Sequence, residues 1–378
     1  MKIAVLSDIH GNVPALRAVV DDIDAWQPDQ VIVNGDIVNR GPCSHTCLEM
    51  VLDRQENDGW HVLSGNHEKY LLSCASPEYR INGLAFEVNR FAYWAVQQLN
   101  GAVAQLAGLP EQFVWWAPDG SEFRVIHASM RGNRDGLYAE QSNAELERRI
   151  APAPAVFVAG HTHQAFVRGV NHGLVVNAGS AGAPFDRDWR PSYGRIIWRE
   201  STGWRAEIRR VTYDRHLIEE EYVRSGFLQE AGPLAQIMLV ELRQARGLMH
   251  LWAKRYEKAV LEKYEAVKEH TGIIESIPMW LDEAGEKELG AELWKETVHA
   301  LNGEAPLVLR VNVLNTNVES LLKALAKEGI EGESIGGKGV VLKSRRKLGG
   351  LQSYRNGFFE VQDFGSQQIA PFLKVEPG

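Results

Sequence analysis

The chain has 378 residues, of which 44% are hydrophobic and 24% are charged, and its formal net charge is -8 at pH 7. This length favours two domains over a single core, and the composition is that of an ordinary globular protein. The acidic balance argues against a general polyanion binder, although it is compatible with a local basic patch.

Short apolar runs alternate with helical patterns over residues 1–64. The first run, Ile3–Leu6, is interrupted at once by Asp8 and His10, so it is predicted to be a buried strand and not a signal peptide. The pattern continues with predicted helices at Val13–Trp26 and Leu48–Glu56 and predicted strands at Val31–Asn34 and His61–Ser64. Strands and helices that alternate at this spacing are typical of a layered α/β domain.

The three cysteines, Cys43, Cys47 and Cys74, are too few for a disulfide framework. Cys43 and Cys47 have the spacing of a small metal loop, but no second ligand pair follows at the spacing of a zinc site. Reduced thiols around the start of a helix are therefore the favoured interpretation.

A helical insertion rich in aromatic residues is predicted at about 69–116. We interpret it as a packed helical cap, with a substrate-selecting lid as the functional alternative. Burial in the core of the cap is the favoured interpretation of its aromatic side chains, over stacking on a base of the substrate. They are Phe86, Phe91, Tyr93 and Trp94. Further strands are predicted at Val125–His127, Ala155–Ala159 and Leu174–Asn177, with a closing hairpin at Tyr193–Arg199 and Trp204–Val211.

From about Arg215 to Lys268 the pattern is mainly helical and charged, and a new α/β-like pattern begins near Ile277. We place the domain boundary near Tyr256, which gives an N-terminal domain of residues 1–256 and a C-terminal domain of residues 257–378. No run approaches the roughly 18 apolar residues of a membrane span, so we expect no membrane partner and a cytoplasmic protein.

Five polar clusters stand out in the N-terminal domain, and four of them directly follow a predicted strand. They are Asp8–His10, Gly35–Asp36 with Asn39–Pro42, Gly65–Glu68, His127, and Gly160–His163. Ligands gather where the strands of an open α/β sheet end, and the neighbouring glycines permit sharp turns into one pocket. Each cluster alone is weak evidence, but the ordered set predicts a metal site.

Two cations about 3.5–4 Å apart stabilise both the attacking and the leaving oxygen of an in-line displacement, and they lower the pKa of a bound water. A shared carboxylate supports that spacing, and Asp36 is the obvious candidate. Nitrogen and oxygen ligands without thiolate suit manganese, iron, zinc, nickel or cobalt, and the sequence does not choose among them.

Six motifs carry a resemblance to a known family. They are SDIHGN at Ser7–Asn12, GDIVNRGP at Gly35–Pro42, GNHE at Gly65–Glu68, IHAS at Ile126–Ser129, GHTH at Gly160–His163 and NAGSAGAP at Asn177–Pro184. Over residues 1 to about 256 the chain resembles the calcineurin-like metallophosphoesterase superfamily. The resemblance implies an αββα sandwich with the metals at the sheet edge, and hydrolysis of a phosphomonoester or phosphodiester through a metal-bound hydroxide.

The resemblance also implies roles for individual residues. One cation is assigned to Asp8, His10, Asp36 and His163. The second cation is assigned to Asp36, Asn66, His127 and His161. His67 is expected to protonate the leaving group or to stabilise the transition state. Arg40 and Arg131 are expected to hold phosphate oxygens through the guanidinium group.

One position departs from the pattern of the protein-phosphatase relatives. They carry an aspartate three residues after the bridging aspartate, where this chain has Asn39. An amide holds an imidazole in place but does not stabilise its charged form as a carboxylate does. His67 is therefore expected to be a weaker acid–base group, and a phosphoprotein is a less favoured substrate. Asn39 itself is expected to lie beside the substrate.

The C-terminal part resembles a second family. The segments that carry this resemblance are Ser276–Asn302, Ala305–Asn317, Glu328–Glu331 and Gly357–Phe372. They are similar to the region that precedes the catalytic core of ribosomal RNA cytosine-C5 methyltransferases, which implies a smaller α+β domain. The glycine-rich loop for S-adenosylmethionine and the catalytic cysteines of that family are not found, because Gly336–Gly339 is predicted to be a hairpin turn and no cysteine follows Cys74. Neither methyl transfer nor S-adenosylmethionine is expected.

A basic cluster in the C-terminal part is a candidate for weak RNA contact. It consists of Lys343, Arg345, Arg346 and Lys347. Phosphate contact and stacking on nearby aromatic residues is one interpretation, and a solvated surface turn is the favoured one. An RNA-binding adaptor with an inactive phosphoesterase domain is accordingly the alternative to a phosphoesterase.

Overall fold

The computed structural model describes residues 1–267, 277–302, 305–344 and 347–372. The chain divides into two compact units, Met1–Glu265 and Ala266–Gly378. The boundary predicted near Tyr256 lies earlier, within the run of helices that ends the first unit. In the described ranges no helix combines the length and the apolar character needed to cross a membrane.

Two five-stranded sheets form the centre of the first unit. The strands are β1 (Lys2–Leu6), β2 (Gln30–Asn34), β3 (His61–Leu63), β4 (Gln112–Trp116), β5 (Glu122–Ile126), β6 (Val156–Ala159), β7 (Phe166–Val170), β8 (Gly173–Asn177), β9 (Ser192–Arg199) and β10 (Gly203–Arg210). The strand orders are β10-β9-β1-β2-β3 and β4-β5-β6-β8-β7. Strands β1, β2 and β3 are parallel to one another, as are β5, β6 and β8.

Helices make up most of the rest of the first unit, and those that contact the sheets cover their outer faces. They are α1 (Val13–Trp26), α2 (Ser44–Asp58), α3 (Asn66–Cys74), α4 (Leu84–Leu99), α5 (Asn143–Ile150), α6 (Arg215–Arg224), α7 (Phe227–Glu230), α8 (Leu234–Gln244), α9 (Met249–Arg255) and α10 (Glu257–Val267), with a 3₁₀ helix at Ala102–Gly108. Helix α1 begins at an Asn12 cap, whose side-chain oxygen accepts the N–H of Ala15, and has a proline at its start.

The alternation of side chains along β1 shows how the layers form. Ile3 and Val5 lie in the core between the two sheets, whereas Ala4 and Leu6 lie in the core beneath the helices. Strand β6 repeats the pattern, with Val156 and Val158 between the sheets and its other side chains under α5. Because successive side chains of a strand point to opposite faces, two covered faces require continuously apolar strands. The predicted αββα sandwich is confirmed.

The predicted insertion at about 69–116 is helical only in part. Helix α4 packs inward, and its buried Trp94 makes an edge-on contact with Phe227 at 4.9 Å between ring centroids. Gln112–Trp116 is an edge strand paired with β5, so the helical prediction is wrong for these five residues. The segment QFVWW alternates between half-buried and exposed side chains, which is the period of a strand.

The second unit is a smaller α+β unit with its own sheet and core. Its strands are β11 (Val308–Val311), β12 (Gly332–Ile335), β13 (Gly339–Leu342) and β14 (Phe359–Val361), in the order β12-β13-β11-β14. Its helices are Met279–Leu289, Ala291–Asn302, Val318–Lys327, Gln352–Arg355 and Phe364–Phe372. The glycine-rich segment after Ile335 joins β12 to β13, so the predicted hairpin turn is confirmed.

Candidate metal centre

The predicted metal ligands meet where the parallel strands of both sheets end. Asp8 and His10 follow β1, Asp36 follows β2 and His127 follows β5, while the remaining ligands follow β3 and β6. The backbone is left-handed at seven non-glycine positions in these loops. They are Asp8, His10, Asp36, Asn39, Arg40, His161 and His163. Such backbone is costly for residues other than glycine and clusters at functional sites.

Asp8, His10 and His163 form the first group of potential ligands. The Nε2 atom of His163 lies 3.1 Å from Oδ1 of Asp8 and 3.2 Å from Nε2 of His10. Oδ1 of Asp8 is completely buried and accepts no hydrogen bond from the described residues, whereas Oδ2 accepts the N–H of His161 at 2.9 Å. A buried carboxylate oxygen without a donor is a position that a cation would satisfy.

Asp36, His127 and His161 form the second group, which Asn66 joins through its amide. Oδ1 of Asn66 lies 3.1 Å from Nε2 of His127 and 2.8 Å from Nδ1 of His161. The four side chains present oxygen and nitrogen atoms to one small space, as a ligand set for a divalent transition metal would.

Asp36 connects the two groups. Its Oδ2 lies 3.6 Å from Nε2 of His10 and 3.3 Å from Nε2 of His127, while Oδ1 accepts the backbone N–H of His67 at 2.8 Å. One carboxylate oxygen therefore faces both groups, as expected of a bridging ligand. Gly65 makes this approach possible, because a Cβ atom there would lie 2.2 Å from Oδ1 of Asp36.

Backbone carbonyls orient three of the histidine rings. The Nδ1 atoms of His10, His127 and His163 lie 3.3, 2.7 and 2.5 Å from the carbonyl oxygens of Val38, Asn34 and Ala183, respectively. A carbonyl accepts only from a protonated ring nitrogen, so Nδ1 carries a hydrogen and Nε2 is the ring atom left for a cation. Histidine ligands of metals are oriented in this way.

The electrostatics of the centre also fit a cation. Among the described residues the buried carboxylates of Asp8 and Asp36 form ion pairs only with histidine. Burial alone would favour the neutral form of His127, but the nearby carboxylate of Asp36 raises the pKa of His127 to about 10. Burial lowers the pKa of His161 to about 4, and the charge of His127 acts in the same direction. The pocket thus concentrates negative charge beside nitrogen ligands, and its residues fit divalent cations.

Asn39 determines the tautomer of His67. Oδ1 of Asn39 accepts the backbone N–H of Arg40 at 2.8 Å, which turns the amide nitrogen toward Nδ1 of His67 at 2.9 Å. Because the amide nitrogen only donates, Nδ1 of His67 accepts and the ring hydrogen is on Nε2. Burial lowers the pKa of His67 well below its usual range, and the charges of His10 and Arg40 add to this effect.

The two predicted phosphate-binding arginines differ in their surroundings. The Arg40 side chain is 14% exposed, and its guanidinium pairs with Glu241 and lies over the ring of Phe185 at 5.3 Å. Arg131 is half exposed in the loop beyond His127, with Nη1 3.9 Å from a carboxylate oxygen of Glu145. Arg40 is therefore fixed, whereas Arg131 is solvated.

Glu68 received no role from the sequence, although it belongs to the GNHE motif. It is fully buried, and its carboxylate accepts the backbone N–H groups of Gly65, Asp36 and Ile37 at 2.7, 2.8 and 2.8 Å. Burial and the nearby Asp36 carboxylate raise the pKa of Glu68 to about 7. Glu68 therefore holds the turn that carries the bridging ligand.

The predicted RNA-contact cluster is only partly within the described residues. Lys343 is more than half exposed, and its Nζ lies 3.3 Å from Glu333 and 3.7 Å from Glu331. Lys347 is exposed, and Arg345 and Arg346 lie outside the described residues.

Comparison with known families identifies both parts of the chain. Residues 1–197 match the calcineurin-like phosphoesterase superfamily domain. Residues 277–348 match the Methyltr_RsmF/B-like, ferredoxin-like domain, which agrees with the resemblance seen in the sequence.

Curated relatives divide in the same way. The chain is 27% identical over 251 residues to the uncharacterized protein MJ0912 of Methanocaldococcus jannaschii, covering 59% of this chain and 92% of that protein. It is 28% identical over 136 residues to ribosomal RNA small subunit methyltransferase B of Pseudomonas putida, covering 35% of this chain and 31% of that protein. The chain thus spans about a third of the length of this methyltransferase.

Solved structures resemble about two thirds of the chain. Hypothetical protein PH1004 from Pyrococcus horikoshii has a TM-score of 0.54 at 19% identity, covering 62% of this chain and 97% of that chain. A metallophosphoesterase from Sphaerobacter thermophilus has a TM-score of 0.49 at 24% identity, covering 65% of this chain and 100% of that chain. Since the family match spans more than half of the 378 residues, the chain belongs to the calcineurin-like phosphoesterase superfamily.

Proposed function

We propose that the first unit hydrolyses a phosphomonoester or phosphodiester with a pair of divalent cations. The observation that carries the proposal is the position of Asp36, whose Oδ2 faces His10 at 3.6 Å and His127 at 3.3 Å. A carboxylate oxygen between two sets of nitrogen and oxygen ligands suits a two-metal site of the kind found in phosphatases and nucleases.

Two sets of side chains would hold the cations. Asp8, His10, Asp36 and His163 would hold one of them. Asp36, Asn66, His127 and His161 would hold the other. When bound, the cations supply charge that activates water near neutral pH and balances the attacking and leaving oxygens.

His67 has the hydrogen-bonding state of a donor. With Nδ1 occupied by the Asn39 amide, Nε2–H of the neutral ring is free to donate to an oxygen of the reacting phosphate. The amide nitrogen of Asn39 also disfavours a second ring proton, because two donors would then face each other. We therefore assign His67 to stabilisation of the transition state, in preference to protonation of the leaving group.

Arg40 is the better placed of the two arginines for phosphate binding. Its left-handed backbone follows directly on Asn39, and its positive charge acts on both His10 and His67. A guanidinium group with a fixed orientation binds phosphate oxygens at a lower entropic cost than a solvated one. Arg131, at the exposed rim, is assigned to the part of the substrate that does not react.

The test is a metal analysis together with hydrolysis of nitrophenyl phosphate and bis(nitrophenyl) phosphate. Protein depleted with a chelator is reloaded separately with manganese, iron, zinc, nickel or cobalt. We expect two equivalents of metal per chain and activity that returns with metal on at least one ester. Fewer than two equivalents under saturating metal would contradict the dinuclear centre. Full loading without hydrolysis of either ester would instead favour the RNA-binding adaptor.

A further inference from the structure

The helices that follow the family-matched segment contact Arg40 directly. Tyr222 of α6 donates its hydroxyl hydrogen to the carbonyl oxygen of Arg40 at 3.1 Å. Glu241 of α8 accepts a hydrogen bond from Nη2 of Arg40 through Oε2. Both residues lie beyond residue 197, where the family match ends. Arg40 is therefore held at its backbone and at its guanidinium by a segment about two hundred residues further along the chain.

Glu241 is itself held rigidly. Its Oε1 accepts the backbone N–H groups of Leu248 and Met249 at 2.5 and 2.6 Å, at the start of α9. Both carboxylate oxygens are thus occupied, and the side chain is 3% exposed. Rotation of the carboxylate would therefore break at least one of these hydrogen bonds.

Phe185 restricts the guanidinium from a second direction. Its ring stacks on His163 at 4.2 Å between centroids with an interplanar angle of 6°, and Arg40 lies over the same ring at 5.3 Å. In the described part of the chain Nε and Nη1 of Arg40 donate to no other protein group. The guanidinium is thereby held by Glu241 and Phe185, and its Nε–H and Nη1–H groups remain available to a ligand.

A stabilising role alone is a poor explanation for this pair. Burying two charges is costly in solvation free energy, and well-packed apolar side chains would often be as stable. Glu241 also interrupts the apolar face of α8, where its neighbours Met238 and Leu242 are buried. A role in orienting Arg40 would explain why a buried ion pair is found at this place.

We propose that Glu241 is a positioning residue, which orients the Arg40 guanidinium toward the phosphate group of the substrate. The proposal rests on the phosphoesterase function proposed above. It adds Glu241 of α8 to a proposed active site whose other residues lie within the family-matched residues 1–197.

The experiment is a double-mutant cycle with Glu241→Gln and Arg40→Ala, measured on metal-loaded full-length chain. Glutamine keeps the shape of Glu241 but removes the charge that orients Arg40. The matched control is Glu219→Gln, because Glu219 joins α6 to α8 through Arg243 at 2.8 Å and does not contact Arg40. For each variant kcat, KM, metal content and the affinity for inorganic phosphate, by calorimetry, are determined.

We expect Glu241→Gln to lower kcat/KM and the phosphate affinity by roughly tenfold or more, as for a lost charge-assisted hydrogen bond, with two metals retained. In the Arg40→Ala background the same substitution should have no further effect. Glu219→Gln should match the unmodified chain.

Three results would overturn the proposal. One is an equal loss from Glu241→Gln in both backgrounds, since the effect would then not pass through Arg40. Another is an unchanged or raised kcat/KM in Glu241→Gln, because Glu241 would then be dispensable or would restrain Arg40. An unmodified chain that is loaded with metal but inactive would overturn the proposed function, and this inference with it.

Discussion

The two units of this chain treat charge in opposite ways. In the first unit the carboxylates of Asp8, Asp36 and Glu68 are buried at the edge of a sheet. In the second unit no charged side chain is buried among the residues that the structure describes. Its ion pair between Arg310 and Glu360 leaves these side chains 49% and 67% exposed.

The difference shows where charge has a function. A buried carboxylate loses its hydration and persists only with strong partners, whereas an exposed ion pair contributes about 0–1 kcal/mol. The helices and strands of the second unit are held by an apolar core, and its charged side chains lie at the surface in contact with water. The buried carboxylates of the first unit lie in the proposed metal centre and in the Arg40–Glu241 pair.

The largest effect should come from Asp36→Asn. The amide removes one of the two carboxylate charges of the proposed ligand set, so we expect loss of bound metal and a fall in kcat of more than roughly a thousandfold. Elemental analysis and hydrolysis of nitrophenyl phosphate measure the two quantities. Asp53→Asn, at an exposed position on α2, is the control. A variant that keeps two metals would disprove the bridging assignment.

His67→Ala should separate catalysis from metal binding. Loss of a hydrogen-bond donor to the transition state is expected to lower kcat by about a hundredfold to a thousandfold while two metals remain bound. His45→Ala is a suitable control, because His45 is partly exposed on α2 and among the described residues it pairs with Glu49 alone. Full activity of the His67 variant on an aryl phosphate would remove His67 from the mechanism.

Sequence reasoning anticipated the first unit well, because its information is local. Each potential ligand lies within three residues of a glycine or an apolar strand, and the strand ends bring them to one edge. Strand β4 was missed because an edge strand with half-exposed side chains has a weak pattern and follows a helical segment.

The partners of Arg40 could not be predicted from the sequence, for a different reason. Glu241 is separated from Arg40 by most of the first unit, and no spacing rule connects them. The available signal was a lone glutamate on the apolar face of α8, between Met238 and Leu242. Such a position indicates a buried partner but does not name it.

Glu68→Gln tests whether a buried carboxylate also supports the fold. Its oxygens accept backbone N–H groups from both sides, and a glutamine amide would leave at least one of these donors unpaired. We expect the free energy of unfolding to fall by about 2 kcal/mol or more. Urea unfolding of metal-free protein is the measurement, since bound metal would add its own stabilisation. An unchanged urea midpoint would mean that the turn at Asp36 is stable without the Glu68 carboxylate.

The smallest effect is expected from Glu360→Gln in the second unit. Oε2 of Glu360 on β14 lies 2.7 Å from Nη2 of Arg310 on β11. This distance is as short as many contacts in the metal centre. Because both side chains are solvated, the substitution should change the free energy of unfolding by less than about 0.5 kcal/mol. The same urea experiment measures it. A loss as large as that of Glu68→Gln would show that exposure does not distinguish the charges of the two units, and burial would then lose its value as a guide to function here.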